Sequence, residues 1–187
     1  MSSEVQICNV ALSKLGESPI IALTEDSKAG RACNLIYTDT RDNLLRAHPW
    51  NFAVRRASLA RLTTIPAYGF AYEYQLPTGC LKVLSMDPEG DDIKFKVEGR
   101  KVLTDEAPAN LLYIIRVTDS TQFDTLFTEV LSAKLSAELA VTLTDSINLA
   151  DFLHQKYENA LSEARGMDAQ EGTPDNIIAD TWIASRL

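Results

Sequence analysis

The first fifty residues carry apolar side chains at the spacing of α-helices. In SSEVQICNVALSKLGE the apolar positions return every three or four residues, and Gly16 stands where a helix C-cap is expected. A second stripe of this kind starts at Ala29 and continues to Ala47. Because Pro49 disfavours helical geometry in the residue before it, the second helix should end near His48. The pattern predicts two amphipathic helices joined by a loop.

From Phe52 onward the spacing changes to the alternation of β-strands. Apolar and polar side chains alternate in residues 72–76 and again in residues 93–97. Residues 111–117, LLYIIRV, are apolar on both faces, which is typical of a central strand. Proline and glycine recur between these segments and favour prominent loops, among them residues 62–70. The region predicts a small antiparallel sheet or barrel.

Helical spacing returns after Ser120. A third helix that includes Leu126 has two neighbouring apolar stripes, so it needs cover on two sides. The segment DSINLADFLHQKYENALSEARG predicts a fourth helix that ends at Gly166. The last stretch is polar at first and then carries large apolar side chains, a pattern typical of an extended arm: Ile177, Ile178, Trp182, Ile183 and Leu187.

These elements predict an α+β protein, a four-helix bundle with an inserted small antiparallel β-sheet or barrel domain and an extended C-terminal arm. The bundle is assigned to residues 1–50 and 120–168, the inserted β domain to 51–119, and the arm to 169–187. A chain of 187 residues with 45% hydrophobic content is large enough for one well-buried core or two small ones.

Charge and cysteine content narrow the class of protein. The formal net charge of −8 argues against a protein whose main function is to bind nucleic acid, since phosphate binding needs clustered Lys and Arg. The three cysteines lack a short Cys-x-x-Cys spacing, so the sequence predicts neither a disulfide framework nor a zinc site and favours folding in a reducing cytosol. We also expect no signal peptide and no membrane span.

Catalytic motifs are missing from the sequence. His48 and His154 are the two histidines, and no Gly-x-Ser-x-Gly elbow or Walker loop accompanies them. The acidic run at residues 87–92 is interpreted as a solvated turn, because its spacing is not that of an EF-hand loop. We therefore predict no catalytic, cofactor-binding or metal site. A glycan hydrolase stays open as the alternative, since a carboxylate pair could be drawn from Asp87, Glu89, Asp105 and Glu106.

Residues 41–61, RDNLLRAHPWNFAVRRASLAR, hold the one basic concentration in this acidic chain. Arginines among aromatic residues could contact phosphates, which leaves a DNA-binding packaging or regulatory factor as a further alternative. Arginine is also the preferred partner of carboxylates at protein interfaces, and the net charge favours that use. We therefore predict subunit or partner contacts for Arg41, Arg46, Arg55 and Arg56.

Two aromatic residues follow the predicted end of the second helix. Trp50 and Phe52 flank Asn51 directly after the proline. We interpret them as core residues that seat the helix end against the sheet. An exposed Trp50 ring would indicate a functional role instead.

Five segments occur in a fixed order along the chain: NVALSKLGESPIIALTED, LLRAHPWNFAVRRASLA, YEYQLPTGCLKVLSM, FDTLFTEVLSAKLSAELAVTLTDS and YENALSEARGMDAQEG. In order and spacing they resemble the tail tubular protein A family of bacteriophage head-to-tail adaptors. The resemblance covers nearly the whole chain up to about residue 172. Its most specific parts are the helix end that runs into Trp50-Asn51-Phe52-Ala53, the Leu76-Pro77 step with its following strand, and the two C-terminal helices.

The resemblance implies a structural protein of the virion, assembled in the host cytoplasm, and not an enzyme. It implies a homo-oligomeric ring of twelve copies between the portal protein and the tail nozzle protein, with no membrane contact. DNA would pass through the lumen without specific binding, since carboxylates repel the phosphate backbone. We expect the arm to contact the portal, with the adjacent subunit and the chain's own bundle as alternatives.

Overall fold

The computed structural model describes residues 3–86 and 93–171 of the chain. Within these ranges it contains four α-helices and six strands. The helices are α1 (Glu4–Lys14), α2 (Lys28–Ala47), α3 (Thr125–Thr144) and α4 (Ile147–Gln170), and the strands are β1 (Val54–Ser58), β2 (Tyr72–Gln75), β3 (Cys80–Met86), β4 (Phe95–Glu98), β5 (Lys101–Thr104) and β6 (Asn110–Ile115). The described strands therefore all lie between α2 and α3.

Local sequence signals set the ends of the first two helices. The Ser27 hydroxyl accepts a hydrogen bond from the Gly30 N–H and caps α2 at its start. α1 ends at Lys14, and Gly16 lies just beyond it with a φ of +73°, which is readily adopted only by glycine at such a helix end. α2 ends with His48 in an extended conformation just before Pro49, as the sequence predicts.

α4 is longer than predicted. It continues through Gly166 to Gln170, so Ala169 and Gln170, the first two residues assigned to the arm, are helical. One glycine costs a helix only about 1 kcal/mol relative to alanine. Hydrogen bonds from Asn51 to Asp168 hold the last turns in place and offset that cost. Glu171 caps the helix, and residues 172–187 of the predicted arm lie outside the described residues.

The third helix lies at the centre of the helical layer. Ten of its twenty residues are buried, which agrees with the two apolar stripes seen in the sequence. α1, α2 and α4 all pack against α3, and α4 follows it through a turn at Asp145. A four-helix bundle is not confirmed, because the principal helix contacts all centre on α3.

The β region consists of two antiparallel three-stranded sheets, with strand orders β1-β6-β3 and β2-β5-β4. The predicted single sheet or barrel is therefore wrong: the strands do not close into one. Each sheet has its own ladder, and the two bury a shared apolar core between them instead. That core is formed by Tyr74, Leu76, Met86, Val102, Ala109, Leu111 and Tyr113.

The strand β6 connects the two cores of the molecule. As predicted, it is the central strand of its sheet. Leu111 and Tyr113 belong to the core between the sheets, whereas Ile114 is fully buried in the core of the helices. Because alternate side chains of a strand point to opposite faces, each face of this sheet is covered by a different layer. This double burial explains the continuous apolar run in the sequence.

Candidate functional site at the junction of helices and sheet

Trp50 lies in the helical core, at the point where α2 has ended and the β region begins. Its side chain is 1% exposed, and its indole N–H donates a hydrogen bond of 3.1 Å to the Leu44 carbonyl. The Phe127 ring of α3 meets it edge to face, with 5.2 Å between ring centroids. The ring thus joins the end of α2 to the first turn of α3 and is not open to solvent.

Phe52 is half-buried beside the same cluster. Its ring packs against Phe127 at 5.0 Å and against Phe123 at 5.9 Å between centroids. Phe52 precedes β1, whereas Phe123 precedes α3, so the chain enters and leaves the β region at one place. The sequence identified Trp50 and Phe52 but gave no sign of Phe123 as the partner of Phe52.

The end of α4 is held against the same junction by hydrogen bonds. The Asp168 carboxylate lies 2.9 Å from His48 Nε2 and accepts the Asn51 N–H at 3.1 Å. The Asn51 side-chain amide in turn donates to the Asp168 carbonyl at 2.7 Å. Sequence reasoning missed Asp168, because its partners lie more than a hundred residues away along the chain.

Arg41 lies inside the protein and makes its contacts within the chain. Its side chain is 5% exposed and pairs with Asp42 at 2.8 Å and, more distantly, with Glu4 at 3.8 Å. Its guanidinium carbon is 6.0 Å from the ring centroid of Tyr37. In this conformation Arg41 is not available to a neighbouring subunit.

Arg46 also makes an internal contact, since it donates a hydrogen bond to the Leu81 carbonyl on β3. A second bridge between helix and sheet runs from Asp42 to Arg116, with 2.6 Å between the carboxylate and Nε. Asp42 therefore accepts Arg41 from its own helix and Arg116 from the end of β6. These contacts hold α2 against the sheet β1-β6-β3.

Arg55 and Arg56 are exposed on β1, the first strand after the junction. The Arg55 guanidinium donates to the carbonyls of Phe52 and Val54 at 2.9 and 2.8 Å. β1 is an edge strand, since β6 is its one neighbour in the sheet order. Of the four arginines predicted to make interface contacts, these two present both exposure and an edge position. The five predicted arm residues, Ile177 to Leu187, lie outside the described residues.

A cavity of about 310 Å³ lies against the sheet β2-β5-β4 beside the loop 62–70. Glu73 and Glu98 both line it. Glu73 accepts hydrogen bonds from Lys101 at 2.7 Å and Thr64 at 2.8 Å, and these contacts lower its pKa. A glycosidase acid needs a raised pKa, so Glu73 is poorly suited to that role.

Of the four carboxylates proposed from sequence, the structure describes Asp105 and Glu106. Asp105 accepts the Ala71 N–H at 2.8 Å, and both Asp105 and Glu106 are exposed. Asp87 and Glu89 lie outside the described residues.

The remaining reactive groups also favour structural roles. Hydrogen bonding to Cys33 and burial raise the pKa of the Cys8 thiol, which keeps it protonated and weakly nucleophilic. His154 is exposed on α4, 3.7 Å from Glu158.

Among residues 3–86 and 93–171, no three His, Cys, Asp or Glu side chains come together in a group that could hold a metal ion. In the same part of the chain, no helix has the length and apolarity needed to cross a membrane.

Comparison with known proteins gives no further assignment. Neither a scan against protein-family models nor a search of curated proteins finds a match to this chain. The family resemblance therefore depends on the order and spacing of the segments quoted above.

Proposed function

We propose that this chain is a head-to-tail adaptor of a bacteriophage, similar to the tail tubular protein A family. In this proposal twelve copies form a ring between the portal and the tail nozzle of the virion. The observation that carries the proposal is the topology: one β region is inserted between α2 and α3, and the chain enters and leaves it at one aromatic junction. The resemblance implies this arrangement of helices around an insertion.

The exposed arginines on β1 are the proposed contact to the next subunit. Arg55 and Arg56 stand beside the open edge of the first sheet, where a neighbouring copy could reach them. Guanidinium groups pair well with carboxylates at interfaces. The contact has complementary charge available, because the chain as a whole carries 26 acidic and 18 basic residues.

The charge distribution also suits a DNA conduit. Residues 51–119 hold nine acidic and nine basic residues, so the net charge of −8 comes from the helical segments and the C-terminal residues. A negatively charged lumen would repel phosphates and let DNA slide. We expect little or no affinity for duplex DNA at physiological salt. Submicromolar, salt-sensitive binding in a gel-shift assay would favour the DNA-binding alternative.

Electron microscopy of the chain mixed with purified portal tests the proposal. We expect rings of twelve subunits seated on the portal. The double variant Arg55→Glu/Arg56→Glu should lose ring formation, because it places like charges at the contact. Lys156→Glu, a charge reversal at an exposed position of α4, is the matched control and should assemble normally. Absence of any ring with the unmodified chain would contradict the proposal. Full assembly of the double variant would contradict the arginine contact.

A further inference from the structure

A groove between α1 and α3 is open on the surface of the helical layer. It has a volume of about 330 Å³, and its surface is mainly apolar. Ile7 forms its floor, Val10 is 43% exposed at its side, and Thr125 and Thr128 face them from α3. At its far end Lys14 donates a hydrogen bond to Ser132 at 3.2 Å. This volume is at the lower end of that found for binding pockets, which suits one or two large side chains.

We propose that this groove binds the C-terminal segment of the same chain, residues 172–187, with Trp182 as the anchor. The segment follows α4 directly and is polar up to Asn176. It then supplies large apolar side chains at Ile177, Ile178, Trp182 and Ile183. Tryptophan is frequent among the residues that dominate binding energy at such contacts.

The position at which the described chain ends makes this groove accessible to the segment. Asn51 holds Asp168 near the last turn of α4, and the neighbouring Trp50 packs on Phe127. Phe127 is next to Thr128, which lines the groove. An α-helix with its side chains is about 10–12 Å across. Trp182 lies eleven residue steps beyond Glu171, and an extended chain of that length spans up to about 36–40 Å, more than three helix diameters.

Covalent attachment favours the chain's own segment over that of another copy. A short tether gives an effective concentration in the millimolar range, far above a micromolar concentration of free protein. Among the alternatives stated for the C-terminal residues, this inference selects docking on the chain's own helices over contact with the portal. It concerns the free protein and does not depend on the proposed function.

Photo-crosslinking of the full chain tests the location of the segment. A benzophenone side chain is placed at Val10, and the protein is irradiated at low micromolar concentration. We expect a product of single-chain mass in which position 10 is joined to a peptide from residues 177–187. The same group at Leu35, 78% exposed on α2, is the control and should give no such product. A product of two-chain mass would assign the groove to a second copy, and absence of the crosslink would equally overturn the proposal.

Tryptophan fluorescence provides a second measurement, because Trp50 and Trp182 are the two tryptophans of the chain. Val10→Lys should displace Trp182 and raise quenching by acrylamide, whereas Trp50 stays buried. Leu35→Lys should leave quenching unchanged. Circular dichroism confirms that both variants retain helix, which partly exposed positions allow. Quenching of Val10→Lys equal to that of the unmodified chain would overturn the assignment of Trp182.

Discussion

The helical core and the core between the sheets are built from different kinds of contact. Long amphipathic helices supply the first, and each of them repeats its buried positions over several turns. Strands of four to seven residues supply the second, and none of them contributes more than two buried side chains to it. A helix therefore specifies its buried face locally, whereas a short strand acquires one only when its partners are in place. The difference makes the sheet core more dependent on β6, the strand that both cores share.

The largest expected effect is at the junction where the two cores meet. Trp50→Ala should lower the free energy of unfolding by about 3–5 kcal/mol, because it removes a fully buried indole from the cluster with Phe127. Urea denaturation measures the change. Trp50→Phe is the control: it keeps an aromatic ring and loses the hydrogen bond to Leu44, so it should cost less. An unchanged midpoint for Trp50→Ala would show that the ring does not contribute to the core.

Two substitutions on β6 distinguish the contributions of the two cores to stability. Ile114→Ala and Leu111→Ala should each cost about 2–5 kcal/mol, since both side chains are fully buried. Hydrogen exchange should distinguish them. Ile114→Ala should reduce amide protection mainly in the helices, and Leu111→Ala mainly in β2 and β5. The same exchange pattern in both variants would show that the two cores unfold together.

The contact between α4 and the junction is expected to be weaker. Asp168→Ala removes the acceptor of His48 and Asn51 and should cost about 1–3 kcal/mol. The loss should appear as faster amide exchange in the last turns of α4. Asp151→Ala, at an exposed position on the same helix, should leave exchange there unchanged. Equal exchange in both variants would contradict a role for Asp168 in holding the helix end.

Acid should weaken the contact that joins β2 to β5. Lys101 and Thr64 lower the pKa of Glu73 below its ordinary value, so this contact stabilises the fold above that value and is lost as pH falls through the folded pKa. NMR titration of the Glu73 carboxyl should show the lowered pKa. Glu73→Gln should remove the acid dependence of amide protection in β2 and β5. A titration at the ordinary glutamate value would contradict this contact.

Sequence patterns identified the helices more completely than the sheets. The stop at Pro49, the cap at Gly16 and the central position of β6 are all visible in local spacing. The division into two sheets is not, because pairing such as β1 with β6 joins residues more than fifty positions apart.

The sequence likewise identified only some of the residues at the junction. Trp50 and Phe52 stand out by composition, but Asp168 and Asp42 look like ordinary polar residues of a helix surface. Their roles depend on His48, Asn51 and Arg116, which approach only in the folded chain. The buried position of Arg41 could not be predicted either, because arginine is normally found at the protein surface.

The contact between Phe52 and Phe123 closes a chain loop of about seventy residues. The entropy of closing such a loop grows only with the logarithm of its length, so a doubling costs about 0.6 kcal/mol. The β region can therefore gain or lose residues at its tips with little effect on helix assembly. Twenty Gly and Ser residues inserted within 62–70 should lower stability by only about 0.2 kcal/mol on this scaling. A much larger loss in urea denaturation would show that this segment stabilises the fold through its own contacts.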